Sequence, residues 1–75
     1  MPQDDHVQVS LGLNVRKLRE ANKLTQEKLA ERAELDPTYI SGIERGKRNP
    51  GIKNVARIAK ALGVRTAILV RGVEA

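Results

Sequence analysis

Residues 25–45 read TQEKLAERAELDPTYISGIER, and this stretch decides the fold. Its apolar positions are Leu29, Ala30, Ala33, Leu35, Ile40 and Ile43, and the positions between them are polar or small. Spacing of three or four residues puts one inward stripe on each of two short helices. Thr25 suits an N-cap before Gln26, and Glu27 places an acid in the first turn, where the helix dipole favours one. A second start follows at Asp36, a capping residue, and Pro37, whose missing N–H costs nothing at the first helical position. Gly46 suits the residue just past the second helix. Only Glu34 and Leu35 separate the two periodic runs. The helices must therefore cross steeply, as a helix-turn-helix does.

A chain of 75 residues has room for one domain, expected over residues 11–75 behind a flexible leader at 1–10, and buries only about 60% of its unfolded surface. Modest stability follows, which partner chains would raise. Tyr39 is the only aromatic residue, so the core must be aliphatic. Fourteen Lys and Arg against nine Asp and Glu give a net charge of +5, which suits a polyanionic partner. The distribution sharpens this, since eight basic residues and no acidic one lie between Glu44 and Glu74.

Zero cysteines exclude disulfides and thiolate ligation, and His6 alone makes no metal site, so neither metal nor cofactor is expected. An enzyme is not expected either: the lone His lies in the leader, no glycine-rich phosphate loop follows a strand, and Asp36 is explained as a cap. No apolar run approaches the ~20 residues that span a bilayer. Asp4 and Asp5 stand where a signal peptide would carry cations, so a cytoplasmic protein with no membrane partner is expected.

Met1 to Ser10 shows no helical stripe and is net acidic, which disfavours a groove-entering arm. Val7 and Val9 alternate with polar residues and either fray or pair with a neighbouring chain. The first helix is expected from Leu11 to Asn22, with Leu11, Val15 and Leu18 inward and Gly12 near its start, where glycine is cheap. The second runs from Gln26 to Ala33. In the third, Pro37 to Arg45, inward Ile40 and Ile43 leave Thr38, Ser41 and Arg45 outward beside the small residues Pro37 and Gly42. A helix about 10 Å wide must settle into a major groove about 12 Å across. Gly42 costs roughly 0.5–1 kcal/mol against alanine, and either close approach to a partner justifies it or it is a plain weak spot.

Thr38 and Ser41 suit several base edges, and only Arg45 can make a bidentate contact to guanine. Direct readout is therefore thin, and DNA shape is expected to share the work. Lys47, Arg48 and Asn49 then lie beside phosphates, contacts that position a protein without reading sequence. The fourth helix, Ile52 to Leu62, is expected to bury Ile52, Val55, Ile58, Ala59 and Leu62. Its opening amides have no side-chain cap from Gly51, and with Lys53 close by they suit a phosphate. In the fifth, Thr66 to Arg71, the run Ala67 to Val70 is more apolar than one stripe can use. A homodimer through Ala67 and Ile68 is expected. A two-fold axis would set the outward helices one DNA turn apart, about 34 Å, on an inverted repeat.

The run LREANKLTQEKLAERAELDPTYISGIERGKRNP, continued by IKNVARIAKALGV, resembles the XRE family, the Cro and phage-repressor-like helix-turn-helix regulators. TYISGIERGKRNP is also similar to the controller proteins of restriction-modification systems, which regulate their own operon. The resemblance spans Leu11 to Val70 and implies an all-α, compact five-helix, lambda-repressor-like DNA-binding domain. It also implies that Arg19 pairs with Glu44 as a clamp and that Gln26 touches a phosphate while buttressing the reading helix. The alternative for Arg19 is an ordinary solvated residue, over which the pair is favoured, and from the residues alone Gln26 is equally read as solvated. By the same resemblance Tyr39 lies at the groove edge, its hydroxyl on a phosphate or its ring on a base.

Two positions depart from the family. Glu34 stands where glycine is most often found, a left-handed position that penalises a Cβ by about 1–2 kcal/mol. Pro37, still facing the bases, replaces a residue that is often basic in controllers, which removes one reader. The expected function is a sequence-specific, double-stranded DNA-binding transcriptional regulator, a homodimer with helix 37–45 in the major groove, acting by blocking or touching RNA polymerase. A phage-type repressor, an antitoxin and a restriction-modification controller all fit. The alternative is a protein-interaction module of antitoxin type on the same helices, and the acid-free second half argues against it.

Overall fold

The computed structural model describes residues 6–74, over which five helices follow one another: α1 (His6–Ala21), α2 (Gln26–Ala33), α3 (Pro37–Glu44), α4 (Ile52–Ala61) and α5 (Thr66–Leu69). The fold is all-α, with α2 and α3 as the helix-turn-helix. Val15, Leu29, Ile40, Ile43, Ile58 and Leu69 are the largest fully buried side chains, so every helix contributes at least one. Each such burial stabilises by about 1.5–3 kcal/mol, and together they make one aliphatic core. α1 lies against α3 and α5, α2 against α3 and α4, and α4 against α5. No described helix is long and apolar enough to cross a membrane.

The local signals around the turn act as their chemistry dictates. The Lys28 N–H donates to Thr25 Oγ1 at 3.0 Å and the Thr38 N–H to Asp36 Oδ1 at 2.7 Å, capping α2 and α3. α2 closes through Glu34 at φ 58°, ψ 45°, with the Leu35 N–H donating back to the Ala30 carbonyl at 2.9 Å. This is the left-handed closure that glycine usually provides. α1 ends the same way on Lys23, also at φ 58°, with the Leu24 N–H donating to the Arg19 carbonyl at 3.1 Å. α3 stops one residue early, at Glu44, with Arg45 as its cap.

Five expectations need correction. α1 begins at His6 rather than Leu11, so residues 6–10 of the expected leader are helical, while its first five lie outside the described residues. The positions holding this turn in place are not an apolar stripe: the Gln8 Nε2 donates to the Gly46 carbonyl at 3.3 Å, and Val9 lies against Gly46. Val7 and Val9 are thus helical, not extended.

Gly12 is not at a cheap helix end. It is buried in mid-helix where α1 crosses α3, and an added Cβ would run into the Ile43 carbonyl oxygen and lie 2.9 Å from that of Glu44. Ile52 is 73% exposed rather than buried. The helical period places it near the inner stripe, but the first turn of α4 stands above the rim of the core. Finally, α5 ends at Leu69 instead of Arg71. Its end is held from outside, because Asn14 Nδ2 donates to the Leu69 and Arg71 carbonyls at 2.9 Å each.

Candidate nucleic-acid interface

The inward side of α3 is locked. Ile40 and Ile43 are fully buried, and the last turn is held by an ion pair with side chains only 13% exposed for Arg19 and 3% for Glu44. Arg19 Nε donates to Glu44 Oε2 at 2.6 Å and its Nη2 to Oε1 at 3.0 Å, the two-pronged geometry of a strong pair. Its remaining prong, Nη1, donates to the Leu24 carbonyl at 2.7 Å, and Gln26 Nε2 donates to Glu44 Oε1 at 2.9 Å. The bond to Glu44 raises the Arg19 guanidinium above the ordinary arginine value, against the opposing effect of burial. Arg19 therefore stays charged, and helices α1, α2 and α3 are tied at one carboxylate.

The outward side is built differently. Pro37 and Thr38 are exposed and Ser41 is half-buried. With Thr25, Gln26 and Glu27 they line a shallow depression of about 440 Å³ between the N-termini of α2 and α3. Gln26 joins the two sides, since one amide hydrogen goes to Glu44 and an Nε2 group carries a second. Arg45 is exposed and its Nε donates to the Ser41 carbonyl at 3.3 Å, which leaves the other guanidinium donors outward. Lys47, Arg48 and Asn49 are exposed in the loop after α3, as is Lys53 on α4. The ion pairs among described residues are Arg16–Glu20, Arg19–Glu44 and Lys28–Glu31, so none of these four cations is neutralised there.

Gly42 does not face open space as expected. It is buried, and the stem of Arg48 lies over it so closely that an added Cβ would sit 2.5 Å from Arg48 Cγ. The glycine thus serves a close approach within the chain. The Arg48 guanidinium in turn lies 4.8 Å from the centre of the half-buried Tyr39 ring, a favourable cation–π distance. Asn54, on α4, completes the group by donating from Nδ2 to the Tyr39 hydroxyl oxygen at 3.1 Å.

Sequence reasoning missed Asn54 and Asn14, because no spacing rule pairs a lone amide with a partner on another helix. On α5, Ala67 and Ile68 are exposed, with Val70 exposed just beyond it and Leu69 directed into the core.

The profile of the family described as Helix-turn-helix matches residues 15–69. The chain is 44% identical over 61 residues to the control protein C.BamHI of Bacillus amyloliquefaciens, a match covering 80% of this chain and 75% of that protein. Its structure is similar to the restriction-modification controller protein C.AhdI from Aeromonas hydrophila, with TM-score 0.81 and 40% identity over 83% of this chain and 94% of that one. The controller protein C.Esp1396I, solved as a tetramer in complex with its natural 35 base-pair operator, matches with TM-score 0.82 and 38% identity over 88% of this chain and 87% of that one. The chain belongs to the XRE-type helix-turn-helix family of DNA-binding transcriptional regulators, which are not enzymes. Within that family its relatives include controller proteins of restriction-modification systems.

Proposed function

We propose that this protein binds an inverted-repeat DNA operator as a homodimer, with α3 of each copy in the major groove, and regulates transcription as a controller-type protein. One observation carries the reading. α3 is fixed on its dry side by the Arg19–Glu44–Gln26 cluster, while its wet side offers only small groups and cations that have no ion-pair partner among the described residues. Such a helix can approach base edges without displacing large side chains.

In this reading Pro37, Thr38, Ser41 and Arg45 face the bases, with Arg45 the bidentate reader. Gln26, Tyr39, Lys47, Arg48, Asn49 and Lys53 face phosphates. Copies pair through Ala67 and Ile68 of α5, which places two reading helices about 34 Å apart on one face of the duplex. The controller assignment rests on the relatives, one of which binds its operator as a tetramer. Regulation then follows from position, by occluding RNA polymerase or by touching it from an upstream site.

The test is an electrophoretic shift with random duplex at two salt concentrations, followed by selection of bound duplexes from a random pool. Affinity should fall steeply with salt, because several neutralised phosphates release counterions, and the selected sites should be two-fold symmetric. No uptake of duplex at low ionic strength would sink the proposal and favour the protein-interaction alternative.

A further inference from the structure

A tyrosine hydroxyl serves a phosphate only if its hydrogen points at it, because a phosphodiester oxygen accepts and does not donate. In this protein the oxygen of that hydroxyl has a partner on α4. Asn54 Nδ2 donates to the Tyr39 hydroxyl oxygen at 3.1 Å in a partly buried bond. An amide nitrogen is a donor only, so the phenol oxygen is the acceptor in this bond and its own hydrogen has no acceptor among the described residues. The Arg48 guanidinium lies 4.8 Å from the ring centre, so the half-buried ring has one partner over its face and another at its hydroxyl. Donation into the phenol oxygen also polarises the O–H and strengthens its next bond. Asn54 stands in the opening turn of α4, whose N-cap Gly51 supplies no side-chain bond, yet its amide goes across to α3.

We propose that Asn54 is a positioning residue for DNA binding, which orients the Tyr39 hydroxyl to donate to a phosphate of the duplex. The inference rests on the phosphate contact assigned to Tyr39 above. Tyr39 is the only aromatic residue in the chain, so the ultraviolet fluorescence of the intact protein reports its surroundings alone.

The experiment measures affinity for a random-sequence duplex at low salt, with melting temperatures, for the unaltered protein, Asn54→Leu, Tyr39→Phe and the double variant. Asn54→Leu is expected to weaken binding roughly threefold to tenfold, the size of one lost hydrogen bond, and to alter Tyr39 emission in the free protein. In the Tyr39→Phe background the same change should alter affinity by less than about twofold, the limit within which independent sites add. An equal loss in both backgrounds would overturn the proposal, since Asn54 would then act through the fold or touch DNA itself. If the unaltered protein takes up no duplex, the DNA-binding reading fails and this inference with it. Uptake without coupling removes only the inference.

Discussion

The two sides of α3 use opposite chemistry. Toward α1 and α2 the buried charge is paired: the Glu44 carboxylate receives three hydrogen bonds from two side chains, and Gly12 lets the α1 and α3 backbones touch. Toward solvent the helix presents Pro37, Thr38, Ser41 and Arg45, none of them in an ion pair among the described residues. The contrast separates stability from recognition. Changes on the dry side should unfold the protein, and changes on the wet side should leave folding alone while altering what the helix holds.

The largest expected effect is on the dry side. Arg19→Ala strands a carboxylate that is almost fully buried, and loss of one partner from such a pair costs about 3–5 kcal/mol in chemical denaturation. Replacing both partners, Arg19→Met with Glu44→Leu, should recover most of that loss, because the cost lies in the uncompensated charge. A single-variant cost near that of an exposed pair, about 0–1 kcal/mol, would put both residues in solvent and dissolve the contrast.

Gly12→Ala comes next. Alanine normally favours a helix by about 1 kcal/mol over glycine, but here its methyl meets backbone carbonyl oxygens rather than a movable side chain. Overpacking of this kind costs about 1–3 kcal/mol, so the melting temperature should fall. A rise would mean that α1 can slide away from α3 freely.

On the wet side, Arg45→Ala should weaken binding to a selected site by about 1–3 kcal/mol and relax one base position, with an unchanged melting curve. Uniform weakening across sequences would move Arg45 to the phosphates. Lys47→Ala should lower affinity evenly and reduce the salt slope by about one unit, and a changed base preference would contradict that role.

The dry side was also the more legible in sequence. Thr25, Asp36–Pro37 and Gly46 mark helix ends through strictly local chemistry, and Leu29, Ala33, Ile40 and Ile43 repeat with the helical period. Where the inner surface is not apolar, that signal is blind. The first turn of α1 is held by Gln8 and by Val9 against Gly46, and Gly12 marks a crossing that no stripe predicts. Ile52 misleads in the opposite sense, since periodicity reports an angle around α4 and not whether the core extends that far. The outward face was readable only as residue types. The Arg48 stem over Gly42 and the Asn54–Tyr39 bond join residues by three-dimensional proximity alone.

The smallest effect tests the corner joining the two sides. Glu34 is exposed and holds φ 58° without being glycine, so Glu34→Gly should relieve about 1 kcal/mol of Cβ strain and raise the melting temperature by about 4–8 °C. Removing an acid from a chain of net charge +5 adds slightly to self-repulsion, which works against the gain. Lys23→Gly separates the two causes, because Lys23 is also exposed at φ 58° but carries the opposite charge. If backbone strain governs both turns, the two glycine variants should gain stability alike, with Lys23→Gly slightly ahead. A gain at Lys23 and none at Glu34 would assign the Glu34 carboxylate a compensating attraction to Arg32, Arg57 and Lys60, which line the same surface depression.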